Sequence, residues 1–108
     1  MSESSSLFFD TFTQNADGTA NIVSSNNTTT AKRSLALFAP AYSTLAIHVS
    51  GTATVVIKTN PFGETAKDFT IKTVTATTQE VITSANWYVI DVTAVSGTVT
   101  AVLVCNED

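Results

Sequence analysis

More than a third of this 108-residue chain is Thr, Val or Ile: twenty, twelve and six residues respectively. Branching at Cβ stiffens a side chain at its first torsion, crowds the preceding turn of a helix, and suits the pleated surface of a sheet. Strands are therefore expected almost throughout. The window poorest in such residues, 31–46, is interrupted by Pro40, so at most one helical turn is predicted. With 44% apolar and 13% charged residues, the chain has enough apolar surface to fold. Its length fits one domain whose core needs neither disulfide nor metal. The single Cys105 has no internal partner and reads as a small hydrophobe closing an apolar strand.

Period-two alternation divides the chain into elements. Residues 2–6 lack apolar side chains and turn chemistry, so a mobile N-terminal arm is expected over 1–6, ahead of a single domain over 7–108. Residues 7–13 hold three of the six Phe and pair, through the turn sequence 15–19, with 20–23 as a hairpin. A polar loop over 24–30 follows, then a strand over 33–39 that Pro40 ends. In 43–50, Leu45, Ile47 and Val49 share one face. Ser50-Gly51 is expected to turn the chain into 52–59. Asn60-Pro61-Phe62-Gly63 turns it again into 68–74, with Pro61 presetting one torsion and Gly63 open to positive φ. Further strands are expected over 79–82, 87–92 and 98–105.

About eight short strands with frequent turns predict an all-β fold, an antiparallel β-sandwich or jelly roll. Alternation assigns its core to Leu37, Leu45, Ile47, Val55, Ile57, Phe69, Ile71, Val89, Val102 and Val104. Ser-Gly-Thr-x-Thr-x-Val occurs twice, from Ser50 and from Ser96. Two strand entries in a chain so rich in Thr and Val match readily by chance, and tandem repeats are not expected.

The formal charge is −4, from nine acidic and five basic residues, so the basic stripe that nucleic acid requires is missing. No apolar stretch approaches the roughly 20 residues of a membrane-spanning helix, and an acid stands where a secretory leader would carry a base. A soluble protein is expected. His48 is the only histidine and Cys105 the only cysteine, too few for a zinc site. No Gly-x-Ser-x-Gly elbow or glycine-rich phosphate loop occurs. Asp10 with Asp17, and Glu64 with Asp68, flank turns where two carboxylates can meet for glycoside hydrolysis or calcium, although turn acids are ordinarily just solvated. The expectation is a protein that is not an enzyme and carries no metal or cofactor.

The aromatic residues say more. Trp87 and Tyr88 are adjacent in a strand and face opposite sides, with Trp87 expected in the core and Tyr88 outward or at an interface. Tyr42 and Phe62 lie in turns, at the rim of the core or exposed for sugar stacking or subunit contact. Leu7, Phe8, Phe9 and Phe12 put apolar groups on both faces of one strand segment, so a neighbouring subunit or a docking surface is expected to cover them.

Three stretches taken together resemble small β-sandwich structural proteins of tailed-bacteriophage virions, most of all the head decoration, or cement, proteins. They are the strand 45–57 ending its first half in Val-x-Gly-Thr, the polar tip 60–64, and the aromatic run Trp87-Tyr88 leading into Gly97-Thr98-Val99-Thr100. At the tip, Asn60-Pro61-Phe62-Gly63 stands where the common form has an Asp-Gly turn followed by Trp. The resemblance implies a non-catalytic protein on the outer surface of the virion, bound to the major capsid protein, a homotrimer that stabilises the shell. The alternative is a carbohydrate-binding or tail-fibre adhesin module, with a glycan as partner.

Overall fold

The computed structural model describes residues 2–9, 11–14, 20–23 and 27–107, with side chains described for 8–9 and 27–104. The fold is all-β and antiparallel. Eight strands form one sheet: β1 (Ser2–Leu7), β4 (Asn27–Thr28), β5 (Lys32–Arg33), β6 (Leu37–Ala39), β7 (Ser43–Thr59), β8 (Phe69–Val74), β9 (Thr78–Ile82) and β10 (Asn86–Glu107). The expected early hairpin is present as β2 (Thr11–Gln14) against β3 (Ala20–Val23). The helical turn among the described residues is a 3₁₀ turn at Thr65–Lys67, outside the window 31–46 for which one was predicted.

Two long strands replace four short ones. β7 runs 17 residues and β10 runs 22, paired from Tyr88↔Thr59 to Val104↔Thr44. At roughly 3.3 Å per residue a straight strand of β10's length would reach about 70 Å. The molecule's longest extent is 42 Å, so the ribbon bends. Gly51 and Gly97 sit directly opposite each other with φ of +89° and +127°. A Cβ on Gly51 would fall on the carbonyl oxygen of Ser96, and one on Gly97 on that of Ser50. Ser50-Gly51 is thus a bend within a strand, because the glycine torsion is absorbed while the ladder continues on both sides. The twice-occurring Ser-Gly-Thr is not a tandem repeat. Its copies pair with each other, Ser50↔Thr98, Gly51↔Gly97 and Thr52↔Ser96, around a local two-fold.

A second irregularity sets the core. The register of β10 on β7 shifts by one between Val92 and Ala94, a bulge at Thr93. Before it Tyr88, Ile90 and Val92 point inward; after it Val99, Ala101 and Leu103 do, while β7 keeps Leu45, Ile47, Ala53, Val55 and Ile57 inward throughout. Val102 and Val104, expected in the core, are therefore on the opposite face and only partly buried. Phe69 and Ile71, also expected there, are exposed. The register of β8 on β7 shifts between Ile57 and Lys58, which leaves Ile71 without a cross-strand partner, and of β8 only Val74, opposite the inward Val55, is buried. Leu37 is half-buried against the core; Leu45, Ile47, Val55, Ile57 and Val89 are buried as expected.

The N-terminal segment differs most from expectation. Residues 2–6, expected within a mobile arm over 1–6, form with Leu7 the strand β1 against the end of β10, from Ser2↔Glu107 to Leu7↔Val102. Phe8 and Phe9, expected at an interface, are both buried in the chain's own core. They lie in a turn after β1, where consecutive side chains need not alternate, and Leu35 N–H donates to the Phe8 carbonyl at 3.3 Å. Leu7 is in β1 and Phe12 in β2; their side chains, like that of Cys105, lie outside the described residues.

Candidate functional site

The end of β7 leads into a loop held by several hydrogen bonds. Asn60 N–H donates to the Trp87 carbonyl at 2.8 Å, tying the loop's start to that of β10. Gly63 N–H returns to the Asn60 carbonyl at 3.4 Å, and Gly63 takes φ +74°, the torsion expected of it. The 3₁₀ turn then delivers Asp68 beneath Arg33. Arg33 donates from Nε and Nη2 to the two Asp68 oxygens at 3.1 and 3.2 Å, and Asn60 Nδ2 donates to Asp68 Oδ1 as well. The Arg33 hydrogen bonds outweigh burial and hold the Asp68 carboxyl below its ordinary pKa, with help from Asn60 and the charges of Arg33 and Lys58.

Aromatic rings stand on this polar base. Trp87 and Phe38 are cross-strand partners of β10 and β6, edge to face at 5.5 Å between centroids. Phe62 lies 6.1 Å from Phe69, with Lys67 Nζ 5.7 Å above the Phe62 ring. An open cleft of about 480 Å³ is lined by Arg33, Asn60, Phe62, Thr65 and Trp87.

The expected orientation of the Trp87-Tyr88 pair is inverted. Trp87 is 47% exposed and Tyr88 6%. Tyr88 pairs with the inward Thr59 and shares its phase with Ile90 and Val92, so the register buries it. Its hydroxyl donates to the Ser84 carbonyl at 3.2 Å, and burial pushes its phenol pKa up. Tyr42 is exposed at a positive φ of 68° in the turn before β7, and Phe62 is exposed at the loop tip. Of the expected contact residues with described side chains, Tyr42 and Phe62 reach the surface, whereas Phe8, Phe9 and Tyr88 do not.

A second surface lies along β8 and β9, which pair with β7 alone. Ile71 and Val81 are 55% and 61% exposed there. They flank a small cavity of about 240 Å³ whose inner wall includes Leu45, Ile57 and Tyr88, with Lys72 and Glu80 ion-paired at its mouth.

Of the candidate catalytic carboxylates, the two described ones each pair with a cation. Asp68 is engaged by Arg33, and Glu64 pairs with Lys67 at 3.1 Å. Asp10 and Asp17 lie outside the described residues. His48 is exposed on β7 opposite Thr100, beside a shallow cleft of Thr78, Gln79 and Val102. Among the described residues no three of His, Cys, Asp or Glu gather as metal ligands, and no helix is long and apolar enough to cross a membrane.

The molecule is thus an antiparallel β-domain with an aromatic-walled, charge-paired cleft at one end and an apolar edge along one flank. Comparison with protein-family models, with curated proteins and with solved structures finds no match.

Proposed function

We propose that this chain is a non-catalytic structural protein of a virion, a capsid decoration protein that packs on the major capsid protein and on copies of itself through the β8–β9 flank. The observation that carries the reading is the exposure of Ile71 and Val81 on strands that pair, among the described residues, with β7 alone. An edge strand presents unpaired N–H and C=O groups, and apolar side chains beside that edge favour a covering partner. The paucity of charge, with small Thr, Ser and Ala side chains on the outer faces, suits close packing in a lattice. Attachment puts the protein on the outside of the shell, where a trimer would stabilise it.

The test is Ile71→Lys with Val81→Lys, measured by sedimentation velocity and by co-sedimentation with undecorated capsids. Loss of self-association or of capsid binding by a folded double variant is the expected result; unchanged binding excludes this flank. The second reading, an adhesin module that touches the host surface, is favoured by the aromatic-walled cleft.

A further inference from the structure

The cleft between Trp87 and Phe62 has the volume of a small-ligand site, within the usual range of about 300–1,000 Å³. Its walls are rings held in place from behind. Phe38 meets the Trp87 ring edge to face, and Phe69 and Lys67 brace Phe62. Both Trp87 and Phe62 still present exposed surface.

Its polar floor is half used. Asn60 is only 4% exposed, and its Nδ2 donates to Asp68 and, at 3.4 Å, to the Glu64 carbonyl. A carboxylate accepts only, so the amide must turn its nitrogen to Asp68. That leaves Oδ1 as a buried acceptor which no donor among the described residues reaches. Buried amide oxygens are ordinarily satisfied, and Asn60 is one of the residues that line the open cleft. Arg33 spends Nε and Nη2 on Asp68 and keeps Nη1 without an acceptor among the described residues.

Charge decides the ligand class. Arg33 is neutralised by Asp68, Lys67 by Glu64, and Lys58 by Asp91 at 2.7 Å. A phosphate or other anion would find no unpaired cation here, and a cation no free carboxylate. What remains is an aromatic face, an acceptor and a donor. That set matches a neutral sugar, whose ring C–H groups stack on an aromatic face and whose hydroxyls both donate and accept.

We propose that this cleft binds a neutral hexopyranose unit of a glycan, with the Trp87 indole as stacking face, Asn60 Oδ1 accepting from one hydroxyl and Arg33 Nη1 donating to another. This sharpens the adhesin reading and is independent of capsid attachment.

Trp87 is the chain's only tryptophan, so its emission reports directly on the site. The experiment titrates the full chain with methyl glycosides of glucose, galactose, mannose and N-acetylglucosamine, and with glucose 6-phosphate, reading fluorescence and saturation-transfer NMR. Saturable binding of at least one neutral glycoside is expected. Trp87→Ala, folded by circular dichroism, should weaken that binding about tenfold or more by NMR, and Phe62→Ala should weaken it less. Three results overturn the proposal: no saturable binding by any neutral glycoside, tighter binding of the phosphorylated sugar, or binding untouched by Trp87→Ala. Capsid co-sedimentation of the same Trp87→Ala protein keeps the two readings apart, since attachment through β8–β9 should survive it.

Discussion

Asp68 shows how one carboxylate organises the loop that bears the cleft. It accepts from Arg33 across two strands and from Asn60 at the loop's start, and its pKa falls below the ordinary 3.8 chiefly through the Arg33 hydrogen bonds. A depressed folded-state pKa contributes stability that is present above the unfolded value and is lost as pH falls through the folded one. Asp68→Asn should therefore cost about 1–3 kcal/mol at neutral pH, because the Arg33 guanidinium loses its acceptor fork. It should also flatten the acid side of the stability profile, below the ordinary carboxylate value. Urea unfolding of both proteins at pH 7 and pH 3 measures this; parallel losses on acidification would remove Asp68 from the account. Little of this cluster was legible in the sequence, because Arg33 and Asp68 are joined only by the register of separate strands. The orientation of Trp87 was legible: Asp91 lies in its phase and Ile90 and Val92 in that of Tyr88, and ring size was the wrong guide.

At the scale of elements, alternation located most strands, though neither β1 nor β4, which lies within the expected polar loop 24–30, and the glycines misled. Gly is the strongest punctuation in a sequence, so Ser50-Gly51 and Ser96-Gly97 read as turns between short strands. Only pairing reveals that the two glycines face each other and that the ladder runs on through both. The Thr93 bulge is equally silent in sequence, yet it reverses the inward face of β10 and explains why Val99, Ala101 and Leu103 replace Val102 and Val104 in the core. Thr98 and Thr100 on the outer phase were the available signal. The three positive-φ glycines among the described residues therefore predict unequal costs. Gly63→Ala meets nothing within 4 Å and should cost about 1–2 kcal/mol, the backbone term alone. Gly51→Ala and Gly97→Ala add a collision with a carbonyl oxygen of the paired strand and should cost about 3 kcal/mol or more, or prevent folding. Thermal melts of the three variants rank them, and equal losses would mean that the corner can relax around a methyl group.

Across the whole molecule, the residues that build the core differ from those proposed to carry association. Phe8 and Phe9, expected to await a partner, are buried in the same core cluster as Ala101 and Leu103, and β1 extends the sheet alongside β10. The sequence showed the apolar groups but not the turn that lets consecutive rings enter one core. Phe8→Ala should therefore cost about 3–5 kcal/mol, as for a large ring removed from a packed interior. Ile71→Lys, at an exposed position of β8, should stay within about 0.5 kcal/mol of the parent while weakening self-association or capsid binding. Urea unfolding beside sedimentation velocity separates the two effects. A Phe8→Ala protein as stable as the parent would return the N-terminal segment to the role of a docking arm. An Ile71→Lys protein that unfolds like Phe8→Ala would make β8 part of the core and leave the aromatic end as the surface through which this domain meets its partners.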